Sequence, residues 1–317
     1  MRVLFWGTPE FATPALRALV GEGHDVVGVV TQPDRSRAKG GRNRSAVDAS
    51  PVKAVAIEEG IPVLQPDRPR GDEFMAQLRA LAPDVSVVVA YGRILTKETI
   101  DLPRLGTLNI HASLLPLYRG AAPIQAAIRD GRNETGVSIM RMVPALDAGP
   151  VILALPTPIL ADETGGELQL RLSEIGAEGI VETLALLDLG GATERIQDDA
   201  AATYAKKIER ADALVQWNAP AEAVERMIRA YDPKPGAWTT RVGVEVRLFG
   251  ARPVAGASGA PGTLVAVDGD AIIVACSEGA VRVQDVHPAG RKRQRAGEWL
   301  RGRGAAVGDL LEAPPAP

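Results

Sequence analysis

The residues best suited to catalysis lie close together in the segment 108–120. Asn109 and His111 are separated by one residue at the end of a predicted strand. Side chains two positions apart on a strand point to the same face, so both can reach one ligand. An amide donor beside an imidazole can stabilise an oxyanion and move a proton. The alternative is that both side chains bind backbone groups of the loop after the strand.

A carboxylate further along the chain could join this pair. Asp147 precedes Ala148-Gly149-Pro150, a sequence typical of a tight turn. An aspartate in such a turn commonly bonds its neighbouring backbone. Near His111, however, it would favour the protonated imidazole and could accept protons directly or through water. The sequence alone leaves both roles open.

The composition excludes several classes of protein. The chain has 317 residues, 46% of them hydrophobic and 24% charged, with a net charge of −3. That apolar content is too high for a disordered chain, and no apolar run reaches the roughly 18 residues of a membrane span. Cys276 is the single cysteine, which excludes an internal disulfide and a cysteine-based metal cluster. The first residues lack the pattern of a signal peptide, so we expect a cytoplasmic protein.

Short apolar runs alternate with amphipathic segments over the first 160 residues. Helices are predicted to begin at Thr13-Pro14 and Ser50-Pro51, where a cap residue precedes a proline. Continuous Val and Ile runs, typical of strands covered on both faces, predict strands at 3–6, 26–30, 63–64, 85–89 and 107–110. This alternation predicts an α/β domain with a doubly wound, mostly parallel, Rossmann-like sheet. In such sheets ligands bind at the carboxyl ends of the strands.

The pattern changes after a long predicted helix at 168–189, which follows a capping box formed by Thr164 and Glu167. A short helix is predicted at 221–230. Period-2 segments, separated by turn residues, predict further strands at 244–249, 262–267, 272–275 and 281–286. These strands predict a small, OB-like β-barrel. We therefore predict a catalytic domain over 1–190, a linker over 191–207 and a C-terminal barrel over 208–317.

Nearly the whole chain carries short motifs that occur together in one family. The central ones are Asn109-Ile110-His111, Ser113-Leu114-Leu115-Pro116, Tyr118-Arg119-Gly120 and Leu146-Asp147-Ala148-Gly149. Others are Gly7-Thr8-Pro9-Glu10-Phe11, Thr31-Gln32-Pro33-Asp34, Ser50-Pro51-Val52-Lys53, Val88-Val89-Ala90-Tyr91-Gly92 and His287-Pro288-Ala289-Gly290. In these motifs the chain resembles the 10-formyltetrahydrofolate-dependent formyltransferases, and specifically those that act on methionyl-tRNA.

The resemblance implies formyl transfer from 10-formyltetrahydrofolate to the α-amino group of initiator methionyl-tRNA, for translation initiation. It implies that Asn109 donates to the formyl oxygen, that His111 stabilises the oxyanion, and that Asp147 orients or charges His111 and accepts the amine proton. The folate site that it implies comprises Ser113, Leu114, Leu115 and Pro116 together with backbone groups around Ala90, Tyr91, Gly92, Ile94 and Leu95. We expect no metal, because an amine with a reference pKa of about 8 is partly deprotonated at neutral pH.

Two basic stretches are candidates for tRNA binding. The resemblance places the first in an insertion loop that holds Arg35, Arg37, Lys39, Arg42 and Arg44. The second consists of Arg291, Lys292, Arg293 and Arg295. It lies within the segment 282–303, which has seven basic and two acidic residues and a net charge of +5. Such a patch on an acidic protein predicts phosphate contacts, although a solvated charge cluster is the alternative.

Two other functions stay open at this point. A small-molecule formyltransferase, acting on an amino-sugar nucleotide or glycinamide ribonucleotide, could use the same catalytic domain. The barrel-like C-terminal half and the basic stretches disfavour it. A non-enzymatic RNA-binding protein could keep a vestigial folate domain, which the presence of Asn109, His111 and Asp147 disfavours. We expect a monomer without membrane contact.

Overall fold

The computed structural model describes residues 1–36 and 47–312, which divide into two compact units. The first unit comprises Met1–Gly120, Thr135–Thr157 and Gln169–Tyr204. The second comprises Ala121–Glu134, Pro158–Leu168 and Ala205–Pro317. Each unit is therefore built from segments that are separated in the sequence, whereas the sequence predicts contiguous domains.

The first 205 residues contain both strands and helices. The strands are β1 (Arg2–Gly7), β2 (Asp25–Val30), β3 (Arg35–Ser36), β4 (Val47–Asp48), β5 (Val63–Leu64), β6 (Val85–Val89), β7 (Thr107–His111), β8 (Arg119–Gly120), β9 (Glu134–Arg141), β10 (Val151–Pro158) and β11 (Tyr204–Ala205). The helices are α1 (Thr13–Gly21), α2 (Pro51–Glu58), α3 (Asp72–Leu81), α4 (Lys97–Asp101), α5 (Pro123–Arg129) and α6 (Gly165–Asp188). Short 3₁₀ helices cover Glu10–Ala12, Asp199–Ala201 and Arg210–Ala213.

A seven-stranded sheet carries the first unit, in the order β10-β9-β7-β6-β1-β2-β5. The pairs β1–β2, β1–β6, β2–β5 and β6–β7 are parallel, and β9 runs antiparallel to β7. This order confirms the predicted doubly wound, mostly parallel sheet, although the sequence does not predict β9 and β10. The strand order reverses between β1 and β6, and ligands of such sheets bind at the carboxyl ends beside that reversal.

The strands of this sheet are apolar along most of their length. Residues 3–7 of β1 and all five residues of β6 are buried. Trp6 packs edge-on against Phe74 and Tyr91, with ring centroids 6.1 and 5.3 Å away. Both layers of side chains are therefore covered, as the continuous Val and Ile runs predict.

Capping side chains set the helix starts. Ser50 Oγ accepts from the Lys53 backbone N at 3.2 Å and caps α2, as predicted. Glu167 N donates to Thr164 Oγ1 and Thr164 N donates to Glu167 Oε2, which is the predicted capping box. In α1, however, Ala12 occupies the N-cap and the predicted cap residue Thr13 is already helical.

The second unit holds a helix followed by an antiparallel sheet. Its elements after residue 205 are α7 (Ala221–Ala230), β12 (Ala237–Arg241), β13 (Val244–Val254), β14 (Leu264–Asp268), β15 (Ala271–Ala275), β16 (Ala280–Pro288), β17 (Gln294–Arg295) and α8 (Ala296–Arg301). The sheet order is β12-β13-β16-β15-β14, and β17 pairs with β16. The helix α7 has its predicted bounds, whereas β12 and α8 have no counterpart in the sequence prediction.

The residues after α8 close this sheet into a barrel. Glu312 exchanges two backbone hydrogen bonds of 2.8 Å with Thr240 of β12. Leu264 N of β14 donates to Asp309 O at 2.8 Å. One segment therefore bonds to both ends of the sheet, through isolated bridges at Thr240 and Thr263. The structure thus confirms the predicted small β-barrel.

We expect Gly262→Ala to destabilise the barrel more than a simple glycine replacement does. Gly262 has a φ of +84°, and a Cβ built on it lies 2.4 Å from Leu311 O in the closing segment. Left-handed strain and displacement of that segment together should lower the free energy of unfolding by about 2–4 kcal/mol. Urea denaturation followed by tryptophan fluorescence measures this loss.

Gly269→Ala is the matched control, since Gly269 has a φ of +59° with nothing within 4 Å of the built Cβ. It should lose about 1–2 kcal/mol from backbone strain alone. Equal losses in the two variants would show that the closing segment contributes nothing to the barrel.

Candidate active site

Asn109 and His111 lie at the carboxyl end of β7, next to β6. They alternate with Leu108 and Ile110 along the strand, so their side chains share a face. His111 is 6% exposed, whereas Asn109 is partly exposed. In the part of the chain that the structure describes, the Asn109 amide makes no hydrogen bond. It is therefore available to a ligand.

The His111 ring is held through one nitrogen and faces a carboxylate with the other. Its Nε2 lies 3.0 Å from Tyr118 O, and its Nδ1 lies 3.7 Å from Asp147 Oδ2. A carbonyl oxygen can only accept a hydrogen bond, so Nε2 carries the proton of the neutral ring. Nδ1 is then the unprotonated nitrogen of the neutral ring, and it faces Asp147.

Asp147 lies in a strained turn that aims its carboxylate at His111. Its φ is +48°, a left-handed conformation that is uncommon for a residue other than glycine. Its Oδ2 accepts from the Gly120 backbone N at 2.7 Å, and the side chain is only 14% exposed. The structure therefore brings Asp147 to His111, which the sequence alone leaves open.

The loop after β6 can offer backbone groups and one apolar side chain to a ligand. Ala90 and Gly92 have φ values of +48° and +80°, which turn the chain sharply at the sheet edge. The Tyr91 carbonyl is occupied, because it accepts from Gln32 Nε2 at 2.8 Å and from Thr8 Oγ1 at 3.2 Å. Ile94 is 90% exposed, the most open of the large apolar side chains described.

Two side chains of this predicted folate loop point into the core instead. Tyr91 is 1% exposed and Leu95 is 4% exposed, and both pack with Phe74 and Met75. Burial raises the pKa of Tyr91 to about 12. Their contribution to a ligand site can therefore come only from the backbone.

The segment 113–116 is held in place by a residue that the sequence analysis does not single out. Ser138 of β9 accepts from Leu115 N at 3.0 Å and donates to Ser113 O at 2.7 Å. Ser113 and Leu115 are buried, whereas Leu114 and Pro116 are partly exposed and can line a ligand site. The available signal is weak: Ser138 is a lone hydroxyl within the apolar run of β9.

The first basic stretch lies largely outside the described residues. Arg37, Lys39, Arg42 and Arg44 are among the residues not described, and only the backbone of Arg35 is described. Directly before this stretch in the sequence, Asp34 forms an ion pair with Lys53, and Gln65 Nε2 donates to Asp34 Oδ1 at 2.8 Å. Hydrogen bonds from Lys53 and Gln65 lower the pKa of Asp34. Lys53 is thus committed to this cluster.

In the second basic stretch, Arg293 is held by acidic and aromatic side chains of the protein itself. Its guanidinium contacts Asp285 at 3.0 Å and Asp232 at 3.4 Å, and it stacks on the Phe249 ring at 4.2 Å. Arg295 also pairs with Asp285 at 3.0 Å. Arg291 and Lys292, in contrast, are exposed and form no ion pair within residues 1–36 and 47–312. The stretch therefore offers two uncommitted cations rather than four.

Ion pairs also reduce the charge that the sequence assigns to the segment around this stretch. Arg282 pairs with Asp268 at 2.7 Å, and Arg301 pairs with Asp270 at 2.9 Å. Both aspartates lie outside the segment 282–303, so a count along the sequence misses them. The net charge of +5 overstates the positive field of this surface.

Over the described ranges, the His, Cys, Asp and Glu side chains form no group of three or more that could hold a metal ion. Among the helices described, none combines the length and apolarity needed to cross a membrane.

The chain matches family models over most of its length. A model described as formyl transferase matches residues 1–184, and one described as formyl transferase, C-terminal domain, matches residues 207–304. A methionyl-tRNA formyltransferase from Magnetococcus marinus is 46% identical over 98% of this chain and 98% of its own length. One from Symbiobacterium thermophilum is 45% identical over 100% of this chain and 97% of its own.

Solved structures share the fold at lower identity. HypX from Aquifex aeolicus, in complex with tetrahydrofolic acid, superposes with a TM-score of 0.68 at 21% identity. The match covers 97% of this chain, which spans 48% of HypX. A methionyl-tRNA formyltransferase from Clostridium thermocellum gives a TM-score of 0.56 at 12% identity, covering 81% of this chain and 95% of that one.

We expect Arg293→Met to lower the free energy of unfolding by about 1–3 kcal/mol, because it leaves the buried Asp232 without its cation. Burial raises the pKa of Asp232, and Arg293 opposes that shift. The loss should be full above the pKa of the Asp232 carboxyl and should shrink as the pH falls through it, because the neutral acid needs no partner. Urea denaturation across this pH range measures it.

Arg291→Met is the matched control and should change the free energy of unfolding by less than about 0.5 kcal/mol at any pH. If the two variants lose the same stability, Arg293 has no structural role.

Proposed function

Because the chain belongs to the formyl transferase family, we propose that it transfers the formyl group of 10-formyltetrahydrofolate to the α-amino group of initiator methionyl-tRNA. Members of this family use a formyl-tetrahydrofolate as donor. The observation that carries the proposal is the position of Asp147 against the His111 ring, beside a free Asn109 amide. The full-length similarity to methionyl-tRNA formyltransferases supports the acceptor.

In this proposal Asn109 and His111 stabilise the negative charge that forms on the formyl oxygen. The side-chain N–H of Asn109 has no partner among the described residues, so it can donate to the oxyanion without breaking a hydrogen bond to any of them. A protonated His111 adds positive charge on the same face of β7. Both groups lie on a strand of a packed sheet, which keeps them in place during the reaction.

Asp147, beside His111, then takes part in the proton transfers of the reaction. The amine nitrogen forms a bond to the formyl carbon, and the bond from that carbon to N10 of the folate breaks. The amine loses one proton and N10 gains one, so the overall reaction needs no external acid or base. The Asp147 carboxylate, 3.7 Å from Nδ1 of His111, can take up the amine proton, directly or through water, and return it to N10.

The folate would contact backbone groups of the loop after β6 and the side chains of Ile94, Leu114 and Pro116. This set fits a pterin, a flat ring with a polar edge, because the turned backbone offers polar groups and the three side chains offer apolar surface. Ser113, Tyr91 and Leu95 would act by shaping the loops rather than by side-chain contact.

The tRNA would contact Arg291 and Lys292 through phosphates, together with the basic stretch 35–44, most of which lies outside the described residues. Two free cations contribute little affinity by themselves, so several more phosphate contacts are required from the rest of the protein. We propose that the protein acts as a monomer in the cytoplasm, where translation initiation takes place. A sugar acceptor is not favoured, because the sugar N-formyltransferases resemble the chain in fold alone, at 14% identity for WlaRD.

A transfer assay tests the proposed reaction directly. Purified protein with 10-formyltetrahydrofolate should formylate methionyl-tRNA, and Asn109→Ala should lower turnover by about 100- to 1,000-fold through loss of the oxyanion donor. The free energy of unfolding should barely change, because the Asn109 side chain makes no hydrogen bond to another described residue. Turnover equal to that of the unaltered protein would remove Asn109 from the mechanism.

The acceptor is tested in the same assay with an amino-sugar nucleotide and glycinamide ribonucleotide in place of tRNA. We expect formylation of the tRNA alone. Faster transfer to either small amine would overturn the proposed acceptor and leave the formyl transferase assignment intact.

The salt dependence of tRNA binding tests the basic stretch. Replacing Arg291 and Lys292 together by Ala should weaken binding and reduce the slope of log K against log salt by up to about 2, one unit for each phosphate contact. The control replaces Arg79 and Lys97, which already pair with Glu98 and Asp101. An unchanged slope in the first variant would place the stretch outside the RNA contact.

A further inference from the structure

Gln197 lies between a buried arginine and the turn that holds Asp147. Its Nε2 donates to Asp147 O at 2.8 Å and to Gly149 O at 2.6 Å. Its Oε1 accepts from Arg119, at 3.1 Å from Nε and 2.8 Å from Nη2. Carbonyls only accept and guanidinium groups only donate, so the four contacts fix the orientation of the amide. One side chain thus binds the turn at two points.

The turn needs such support. Asp147 has a φ of +48°, and a residue with a Cβ loses about 1–2 kcal/mol in that conformation. The turn also packs tightly, since a Cβ built at Gly149 lies 1.8 Å from Arg141 O. Released from Gln197, Asp147 can relax to a negative φ, which swings its carboxylate away from Nδ1 of His111.

Arg119 gives Gln197 a rigid anchor. It is 3% exposed, and its Nη2 also donates to Asp199 Oδ1 at 2.7 Å. Its backbone N donates to Thr203 O at 2.8 Å. A hydrogen bond from a charged, buried guanidinium is stronger than one between neutral groups.

We propose that Gln197 is a positioning residue for catalysis, which holds the Asp147 turn in the conformation that presents the carboxylate to His111. The proposal rests on the proposed catalytic role of Asp147. It assigns a function to the polar segment 191–207, which the sequence predicts as a linker.

A double-mutant cycle with Asp147→Asn tests the proposal, since an asparagine there can still accept from Gly120 N. Gln197→Leu should lower kcat by about 10- to 100-fold, as a displacement of about 1 Å does for a catalytic group. KM for both substrates should change by less than about 3-fold. In the Asp147→Asn background the same change should cost less than about 3-fold, because the group that it positions has gone.

Gln197→Glu distinguishes the role of the amide oxygen from that of the amide nitrogen. It keeps an oxygen for Arg119 and removes the donor to the two carbonyls. We expect it to lower kcat as Gln197→Leu does, while thermal unfolding shows that the protein is folded. It also decides the matter if the Leu variant does not fold. Gln77→Leu, an exposed change on α3, is the control and should leave kcat unchanged.

The outcomes are distinct. Normal kcat in Gln197→Glu would overturn the proposal, because Arg119 would then need only an acceptor. Equal losses for Gln197→Leu in both backgrounds would also overturn it, since they indicate a general structural defect. Full activity in Asp147→Asn alone would instead overturn the proposed role of Asp147.

Discussion

The backbone of Tyr118 and Gly120 holds the two ionisable groups of the candidate site, His111 and Asp147, in position. Tyr118 O accepts from His111 Nε2, and Gly120 N donates to Asp147 Oδ2. Arg119, between them, reaches the Asp147 turn through Gln197. Because the tripeptide Tyr118-Arg119-Gly120, whose last two residues form β8, supplies all three contacts, any shift of that tripeptide moves the imidazole and the carboxylate together. Their separation is therefore preserved better than the position of either group.

The sheet explains why this arrangement lies where it does. The strand order reverses between β1 and β6, and the loops after β1, β6 and β7 all begin at the same edge. The loop after β6 is fixed by Thr8 and Gln32, which follow β1 and β2. The proposed folate site, built from backbone groups, and the proposed catalytic side chains can thus share one edge of the sheet.

Local features of the fold are readable in the sequence, because local interactions determine them. The Val-rich strands, the Ser50 cap and α7 follow from patterns within a few residues. The distant pairings do not: nothing near Asp147 indicates Gly120, and nothing near Arg293 indicates Asp232. Gln197 lies in a polar segment that is predicted as a linker. A polar side chain that binds backbone carbonyls looks the same in the sequence as one that binds water. The net charge counted along the segment 282–303 is misleading for the same reason. The acidic partners of Arg282 and Arg301 are Asp268 and Asp270, which lie outside that segment.

Each of the two units is built from segments that are separated in the sequence, so a single cut in the chain cannot divide the protein into its two units. Segments 121–134 and 158–168 belong with the residues after 205, and Arg229, itself buried, donates to Glu163 O at 2.9 Å. A single proteolytic cut near residue 205 would leave these two segments on the N-terminal fragment, stripped of their packing partners. The C-terminal fragment would keep the buried Glu225–Arg229 pair but would lose the segment 158–168, which contacts Arg229. Separating the catalytic half from the barrel therefore requires redesigned surfaces on both pieces, rather than a choice of cleavage site.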